Sequence, residues 1–356
     1  ADMDFATPDF ILEAIQKRTE HGILGYSLAP EGWFNAIHAW LKKRYHWNVS
    51  AQETGFLPGI VSGIAFLIQC FTNPGDKILI QTPVYPPFFY IPSKNGREVV
   101  INPLKYENGH LEIDFDDFEA KAASGCKMFI LCSPHNPGGR IWTKEELQKM
   151  AGICKKYGLI IVSDEIHADL TLPGQVHTPI GTLPPEICDN VITLMAPSKT
   201  FNIPGLGSSF YVIQNQELRS KFHKFLNKAE LSNGNIFAFI AAEAAYENGE
   251  EWLNQLTQYL QENVDYVDQF LKKHLPQIKA CIPQASFLLW LDCRELSMSP
   301  GELHQFFITK AKLGLNPGYS FGQGGEGFMR LNIGCTRDTL YQAMDQLKTA
   351  ADELFS

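Results

Sequence analysis

No Cys-x-x-Cys pair occurs among the eight cysteines, which lie scattered at 70, 126, 132, 154, 188, 281, 293 and 335. Several sit inside apolar runs, as in Met128-Phe-Ile-Leu-Cys132. They read as buried free thiols of a reducing, cytoplasmic compartment, which excludes a disulfide framework and a zinc ribbon. Positive charge is also in short supply. Thirty Lys and Arg against 39 Asp and Glu leave a net charge of −9. That balance argues against nucleic acid or an anionic membrane as the main partner, while allowing a local basic patch around an anionic ligand. No apolar run is long enough to cross a bilayer and no stretch has the build of a secretory signal. Internal repeats and low-complexity tracts are missing as well, which leaves an ordinary globular chain.

What is present suits an enzyme. The 356 residues, 45% hydrophobic and 19% charged, can bury a sizeable core and fill two domains. The opening Ala1-Asp-Met-Asp-Phe-Ala-Thr-Pro8 lacks an initiator Met, and an N-terminal arm is expected before it. Helices are expected over 8–22, with Pro8 near the start, and over 33–46. Two more are expected over 236–247 and 250–274, and a last one over 337–354. Thr143-Lys-Glu-Glu146 forms a capping box that opens a helix running to about Tyr157. Short apolar strands at 77–82, 127–132 and 158–163 alternate with helices or long connections as far as 213. That alternation predicts a mostly parallel sheet covered on both faces. Later strands are expected at 285–291 and 327–333.

The chain is organised around Met195-Ala-Pro-Ser-Lys-Thr-Phe-Asn-Ile-Pro-Gly-Leu-Gly207. Lys199 follows an apolar run that reads as a buried strand, and Gly and Pro follow it. A lysine on a loop at the end of a core strand is held near the interior. Desolvation there makes its amine a usable nucleophile toward an aldehyde. Taken alone, a lysine on a turn is more often a surface charge.

Other segments carry complementary chemistry. Phe56-Leu-Pro-Gly-Ile-Val-Ser-Gly63 opens a helix with apolar positions at 60, 64, 67, 68 and 71. The amides of Gly59, Ile60 and Val61 at its start suit a phosphate, although many helices begin this way. Prolines around Tyr85 in Pro83-Val-Tyr-Pro-Pro-Phe88 fix the backbone and aim the ring, which can stack on a heteroaromatic or pack in a core. Asn136 lies in Ser133-Pro-His-Asn-Pro-Gly-Gly-Arg140, where Asn-Pro-Gly by itself is turn chemistry. Asp164 closes the strand at 158–163, at the edge where open α/β sheets bind ligands. Glu165 is expected to point the other way, in a structural role. Arg330 sits inside an apolar strand and needs an anion, either a structural partner or a substrate α-carboxylate that matches its planar fork.

Together and in this order, these segments resemble pyridoxal-phosphate (PLP) enzymes of the aspartate aminotransferase fold, fold type I, over essentially the whole chain. The resemblance implies an α/β fold with a mostly parallel central sheet flanked by helices, plus a smaller α+β domain. The large domain would span 33–250 and the small one 1–32 with 251–356. It implies that Lys199 carries the cofactor and that Asp164 keeps the pyridine nitrogen protonated. Asn136 would reach the cofactor's O3′ and the substrate carboxylate, Tyr85 would face the ring, and Arg330 would bind the carboxylate. Ala-Asp-Met-Asp-Phe5, Gly25-Tyr-Ser27 and Asp164-Glu-Ile-His167 are similar to the carbon–sulfur lyase subgroup typified by MalY and PatB. His167 stands where many aminotransferases have a tyrosine that reaches O3′. Tyr26 takes the place of a tyrosine that crosses a homodimer interface to the neighbour's cofactor phosphate, although a loop tyrosine can also pack on its own domain. The implied reaction is α,β-elimination on L-cystathionine- or L-cysteine-type amino acids. The alternatives are an aminotransferase on the same scaffold and a regulatory, partner-binding protein. One departure concerns the phosphate. Ala196 and Gly207 occupy positions where the wider family often has a serine and a basic residue, and Ser198 and Ser209 are the candidate substitutes.

Overall fold

The computed structural model describes residues 1–356 apart from 108, 232 and 356. Thirteen strands form among the described residues. In chain order they are β1 (Thr54–Leu57), β2 (Lys77–Thr82), β3 (Glu98–Pro103), β4 (Lys105–Glu107), β5 (His110–Glu112), β6 (Cys126–Cys132), β7 (Ile160–Asp164), β8 (Val191–Met195), β9 (Ser209–Val212), β10 (Lys279–Cys281), β11 (Leu288–Asp292), β12 (Asn316–Pro317) and β13 (Phe328–Asn332). The main sheet has seven strands in the order β1-β9-β8-β7-β6-β2-β3. Of its strands only β9 runs against the others. A second sheet, β10-β11-β13-β12, is antiparallel, and β4 and β5 form a separate two-stranded sheet.

The apolar strands of the main sheet are buried on both faces because both faces are covered by helices. Along β6 the side chains alternate. Met128 and Ile130 join the cluster that holds Ile64 and Leu67 of the helix Ile60–Phe71. Phe129 and Leu131 join the opposite cluster, with Leu147 and Met150 of the helix Lys144–Lys156. This period of two, read against helices on each side, is what a parallel sheet requires. The expected capping box is present with both of its arms, Thr143 Oγ1 accepting from Glu146 N–H and Glu146 accepting from Thr143 N–H. Each of the fully buried apolar side chains in these two clusters contributes roughly 1.5–3 kcal/mol.

Most helices lie within two or three residues of their expected bounds: α1 (Asp9–Glu20), α2 (Glu31–Tyr45), Ile236–Asn248, Glu250–His274 and Arg337–Phe355. The strand expected from 285 begins only at Leu288. Before it, Ala285 bridges Thr171, and Ser286, at φ 81°, donates its N–H to the Leu170 carbonyl. These residues are spent on holding the second sheet to the segment that follows Asp164, and so are lost to the ladder.

Gly139 makes the other half of this junction. Its carbonyl accepts N–H bonds from Gln284 at 2.8 Å and Ala285 at 3.0 Å. Its φ of +63° lies in the left-handed region, and a Cβ there would sit 2.4 Å from Pro283 Cβ and 3.0 Å from the Ala285 carbonyl. Gly139→Ala is therefore expected to destabilise the fold by about 1–3 kcal/mol, read as a lower thermal midpoint. An unchanged midpoint would show that the junction yields without cost.

Candidate active site

A cavity of ≈ 230 Å³ opens where the loops after β6, β7 and β8 meet the start of the helix Ile60–Phe71. Of the residues singled out in the sequence, Gly59, Ile60, Val61, Tyr85, Asn136, Asp164, His167, Ser198 and Lys199 all line it. Arg330 reaches it through Asn136. Tyr26 does not; it is fully exposed on the segment between α1 and α2, near the exposed Ile23, Leu24 and Leu28.

Lys199 sits in the single helical turn Pro197–Thr200 that follows β8. Its side chain is 19% exposed. Its Nζ donates to the Ala1 carbonyl at 2.7 Å and lies 3.5 Å from Asp2 Oδ1. Asn202, three residues on and at φ 53°, fastens the chain's first residues over the lysine. Its Nδ2 donates to the carbonyls of Met3 at 2.8 Å and Phe5 at 2.7 Å, and its Oδ1 accepts from Met3 N–H at 3.1 Å. The sequence reading assigned Asn202 no role. The signal available was an asparagine, a residue type that tolerates left-handed backbone, just before Ile203-Pro-Gly205.

Asp164 ends β7 and is 6% exposed. It accepts from Ile166 N–H at 3.1 Å and has no salt-bridge partner among the described residues. Burial pushes its carboxyl up from 3.8 to about 7, helped by the neighbouring Glu165 charge and opposed by the Ile166 hydrogen bond and Lys199. Glu165 points away from the cavity. It accepts from Ser163 Oγ at 2.9 Å and Ile180 N–H at 3.1 Å, and pairs with His177 at 2.8 Å. His167 is buried with its ring edge toward Phe287, and its Nδ1 has no partner. Burial, then the Lys199 and Arg330 charges, lower its pKa to about 3, so the imidazole is neutral at physiological pH.

Arg330 is 6% exposed in β13. Its NH1 donates to Asn136 Oδ1 and its NH2 to Asn316 Oδ1, both at 2.8 Å, while Nε has no partner. The guanidinium lies 4.7 Å from the Phe321 ring centroid. No carboxylate lies within ion-pair distance of it among the described residues. Desolvation lowers its pKa to about 10. Asn136 is itself fixed on both sides, its N–H donating to Cys132 Sγ at 3.3 Å and its carbonyl accepting from Tyr85 N–H at 3.1 Å. Cys132, Ile166 and Leu288 also line the cavity. They read in the sequence as plain core residues, and nothing local marks them otherwise.

Ser209 does not serve as the anion ligand expected from its place in the sequence. Ser209 Oγ donates to the Leu57 carbonyl at 2.9 Å and is 1% exposed, so it holds the end of β1 and is not free for an anion. Ser198 lines the cavity, and its hydroxyl makes no hydrogen bond among the described residues. Gly207 lies at φ +61°, and a Cβ there would sit 3.1 Å from the Pro58 carbonyl, so a side chain at this position is disfavoured. Gly59 caps the helix Ile60–Phe71 with no side chain bonded to its first amides, and a Cβ on Gly59 would meet nothing within 4 Å.

The groups expected for pyridoxal phosphate therefore fit it. Helix amides without a side-chain cap open on the cavity, a buried carboxylate lacks a cation, a buried guanidinium lacks an anion, and the Lys199 amine lines the same cavity. A family model for class I and II aminotransferases matches residues 2–347. The chain belongs to the class I and II aminotransferase family. Among curated relatives in this family it is 43% identical to the cystathionine beta-lyase PatB of Bacillus subtilis, over 98% of this chain and 91% of that protein. It is 34% identical to the protein MalY of Escherichia coli, over 98% and 90%. Among solved structures, cystalysin from Treponema denticola, which contains a pyridoxal 5′-phosphate cofactor, superposes with a TM-score of 0.97 at 34% identity, covering 99% of this chain and 90% of that one.

An ionised carboxylate held in this place costs stability when no cofactor faces it. Between pH 3.8 and about 7 the folded chain keeps a proton on Asp164 that the unfolded chain has released. Stability is thus lost as pH rises through that window. Asp164→Asn is expected to make the cofactor-free protein more stable than wild type at pH 8, by at most about 4 kcal/mol. The gain should close as pH falls toward 4. Denaturant titrations at several pH values measure it, and a gain independent of pH would refute the burial effect.

Proposed function

We propose that this chain is a pyridoxal-phosphate-dependent carbon–sulfur lyase. It would eliminate a thiol from Cβ of L-cystathionine- or L-cysteine-type amino acids, and water would hydrolyse the aminoacrylate left behind to pyruvate and ammonia. The observation that carries the reaction class is the 43% identity to a cystathionine beta-lyase along 98% of the chain. The gathering of Lys199, Asp164 and Asn136 on one cavity, with Arg330 bonded to Asn136, supports it.

Gly59, Ile60, Val61 and Ser198 would hold the phosphate, Tyr85 and His167 the ring, and Asp164 a proton on the ring nitrogen. When bound, pyridoxal phosphate supplies an aldehyde that captures the substrate's amino group and a ring that accepts the electron pair left at Cα. Arg330, lacking an anion of its own, takes the substrate α-carboxylate on its planar fork, with Asn136 alongside. Fixing the carboxylate orients the Cα–H bond. Lys199 Nζ removes that proton as general base. Loss of the thiolate from Cβ then separates elimination from transamination, in which the lysine would return the proton elsewhere.

Two copies of the chain would share each site, Tyr26 and its exposed apolar neighbours crossing to the partner. The division into 33–250 and 1–32 with 251–356 belongs to the same reading. So does a cytoplasmic location, which eight free thiols support. No helix among the described residues is long and apolar enough to cross a membrane.

Incubation with L-cystathionine and no keto acid should release homocysteine, pyruvate and ammonia over many turnovers. A single turnover that resumes only when a keto acid is added would make the protein an aminotransferase, and no turnover at all would favour a binding role. For the shared site, mixing Tyr26→Phe with Lys199→Ala chains should restore activity above that of either variant by itself, because both defects then fall in one pocket of a mixed dimer and leave the other pocket whole. Failure to recover would confine Tyr26 to its own subunit or remove it from the site.

A further inference from the structure

A second buried carboxylate, Asp169, lies five residues beyond Asp164 and outside the cavity. It is 3% exposed. Its Oδ1 accepts from Trp40 Nε1 at 2.9 Å and Tyr45 Oη at 2.5 Å, and Arg44 Nε lies 3.4 Å from the same oxygen. Its Oδ2 accepts from Thr200 Oγ1 at 3.2 Å. Trp40, Arg44 and Tyr45 all belong to α2. Thr200 is the residue after Lys199, fully buried, at the end of the helical turn that carries the lysine. Next to Asp169, Leu170 N–H donates to the His167 carbonyl at 3.0 Å, closing the turn that carries Asp169.

We infer that Asp169 and Thr200 are positioning residues for Lys199: the carboxylate clamps the lysine's turn to α2 and so sets where Nζ can swing. A buried carboxylate is expensive unless paired and hydrogen-bonded, and an apolar side chain would fill the space at less cost. A threonine in a helical turn commonly bonds back to a carbonyl of its own helix, but the Thr200 hydroxyl spends its bond on Asp169. The lysine has a long, flexible stem and must meet a single Cα–H bond. Its accuracy therefore depends on how firmly its own backbone is held, and small misplacements of a reacting group carry large losses in rate. The clamp also joins the lysine to the helix that follows the Tyr26 segment, so the turn and that segment share one rigid support.

This inference rests on Lys199 as the proton carrier and not on the fate of the thiolate. The test uses the PLP-loaded protein with Thr200→Val, which keeps the shape and removes the hydroxyl, Thr200→Ser, which keeps the hydroxyl, and Asp169→Asn. Three readouts are taken: the visible circular dichroism of the bound cofactor, the primary isotope effect with Cα-deuterated substrate, and the thermal midpoint. Thr200→Val should alter the visible dichroism, raise the isotope effect and lower kcat on the order of tenfold, with KM moving much less. Thr200→Ser should return all three toward wild type. Asp169→Asn should reproduce the Thr200→Val pattern, and it carries the test should Thr200→Val fail to fold. Wild-type dichroism and isotope effect in the folded variants, whatever happens to the midpoint, would overturn the inference and leave the cluster a stabilising one. If the wild type transaminates instead of eliminating, both spectral and isotope readouts still apply, since Cα–H cleavage is common to the two reactions. A wild type that takes up no pyridoxal phosphate would overturn the functional reading and this inference with it.

Discussion

The structure depends on keeping two opposite charges buried and apart. Arg330 is enclosed in β13 with two amide oxygens as its acceptors and no carboxylate. Asp164 is enclosed at the end of β7 with a single backbone donor. Neither finds its counter-charge in the chain, and each is pushed toward its neutral form by desolvation. A fold selected only for stability would pair them or replace them. Here both costs are met by apolar burial elsewhere, in the two clusters that sandwich the main sheet and in the larger cluster around the second sheet. The result is a site already polarised for a ligand that brings a cation to one end and an anion to the other.

Holding such groups apart takes rigid backbone on two sheets. The Asn136 loop is the hinge of the arrangement. Its amide oxygen meets Arg330 from the second sheet, its N–H meets Cys132 at the end of β6, and its carbonyl meets Tyr85 from the loop after β2. Three residues on, Gly139 accepts two bonds from Gln284 and Ala285, in the segment that leads into β11. One short turn therefore aligns Arg330 with the sheet edge beyond which Asp164 and Lys199 lie. The Asn-Pro-Gly-Gly run is demanding for this reason, since it must turn, accept and stay small within four residues.

Much of this was legible from residue patterns. Period-two burial in β6, the capping box at Thr143 and the long amphipathic helix Glu250–His274 follow from local rules that the tertiary structure had no reason to override. The correction at Ser209 shows the limit. A serine near a glycine-rich loop is a reasonable phosphate ligand by type, but its hydroxyl is consumed by the Leu57 carbonyl, a partner 152 positions away. Ala285 and Ser286 fail as strand residues for a similar reason, because partners at Thr171 and Leu170 claim their backbone.

Residue types and their order alone determined that one strand would end at Asp164 and that Lys199 would follow another, that a helix would begin at Gly59, and that an arginine would be trapped in an apolar strand. These are short-range facts about periodicity, glycine and proline placement and the cost of burying charge. Only the tertiary structure decided that Arg330 would have no carboxylate partner, that Asn202 would strap the first residues across Lys199, and that Asp169 would reach Thr200 instead of the cavity. Each of those outcomes joins residues 31 to about 200 positions apart. Which donor meets which acceptor across such a span is settled by how the sheets and helices pack, and no local pattern encodes it.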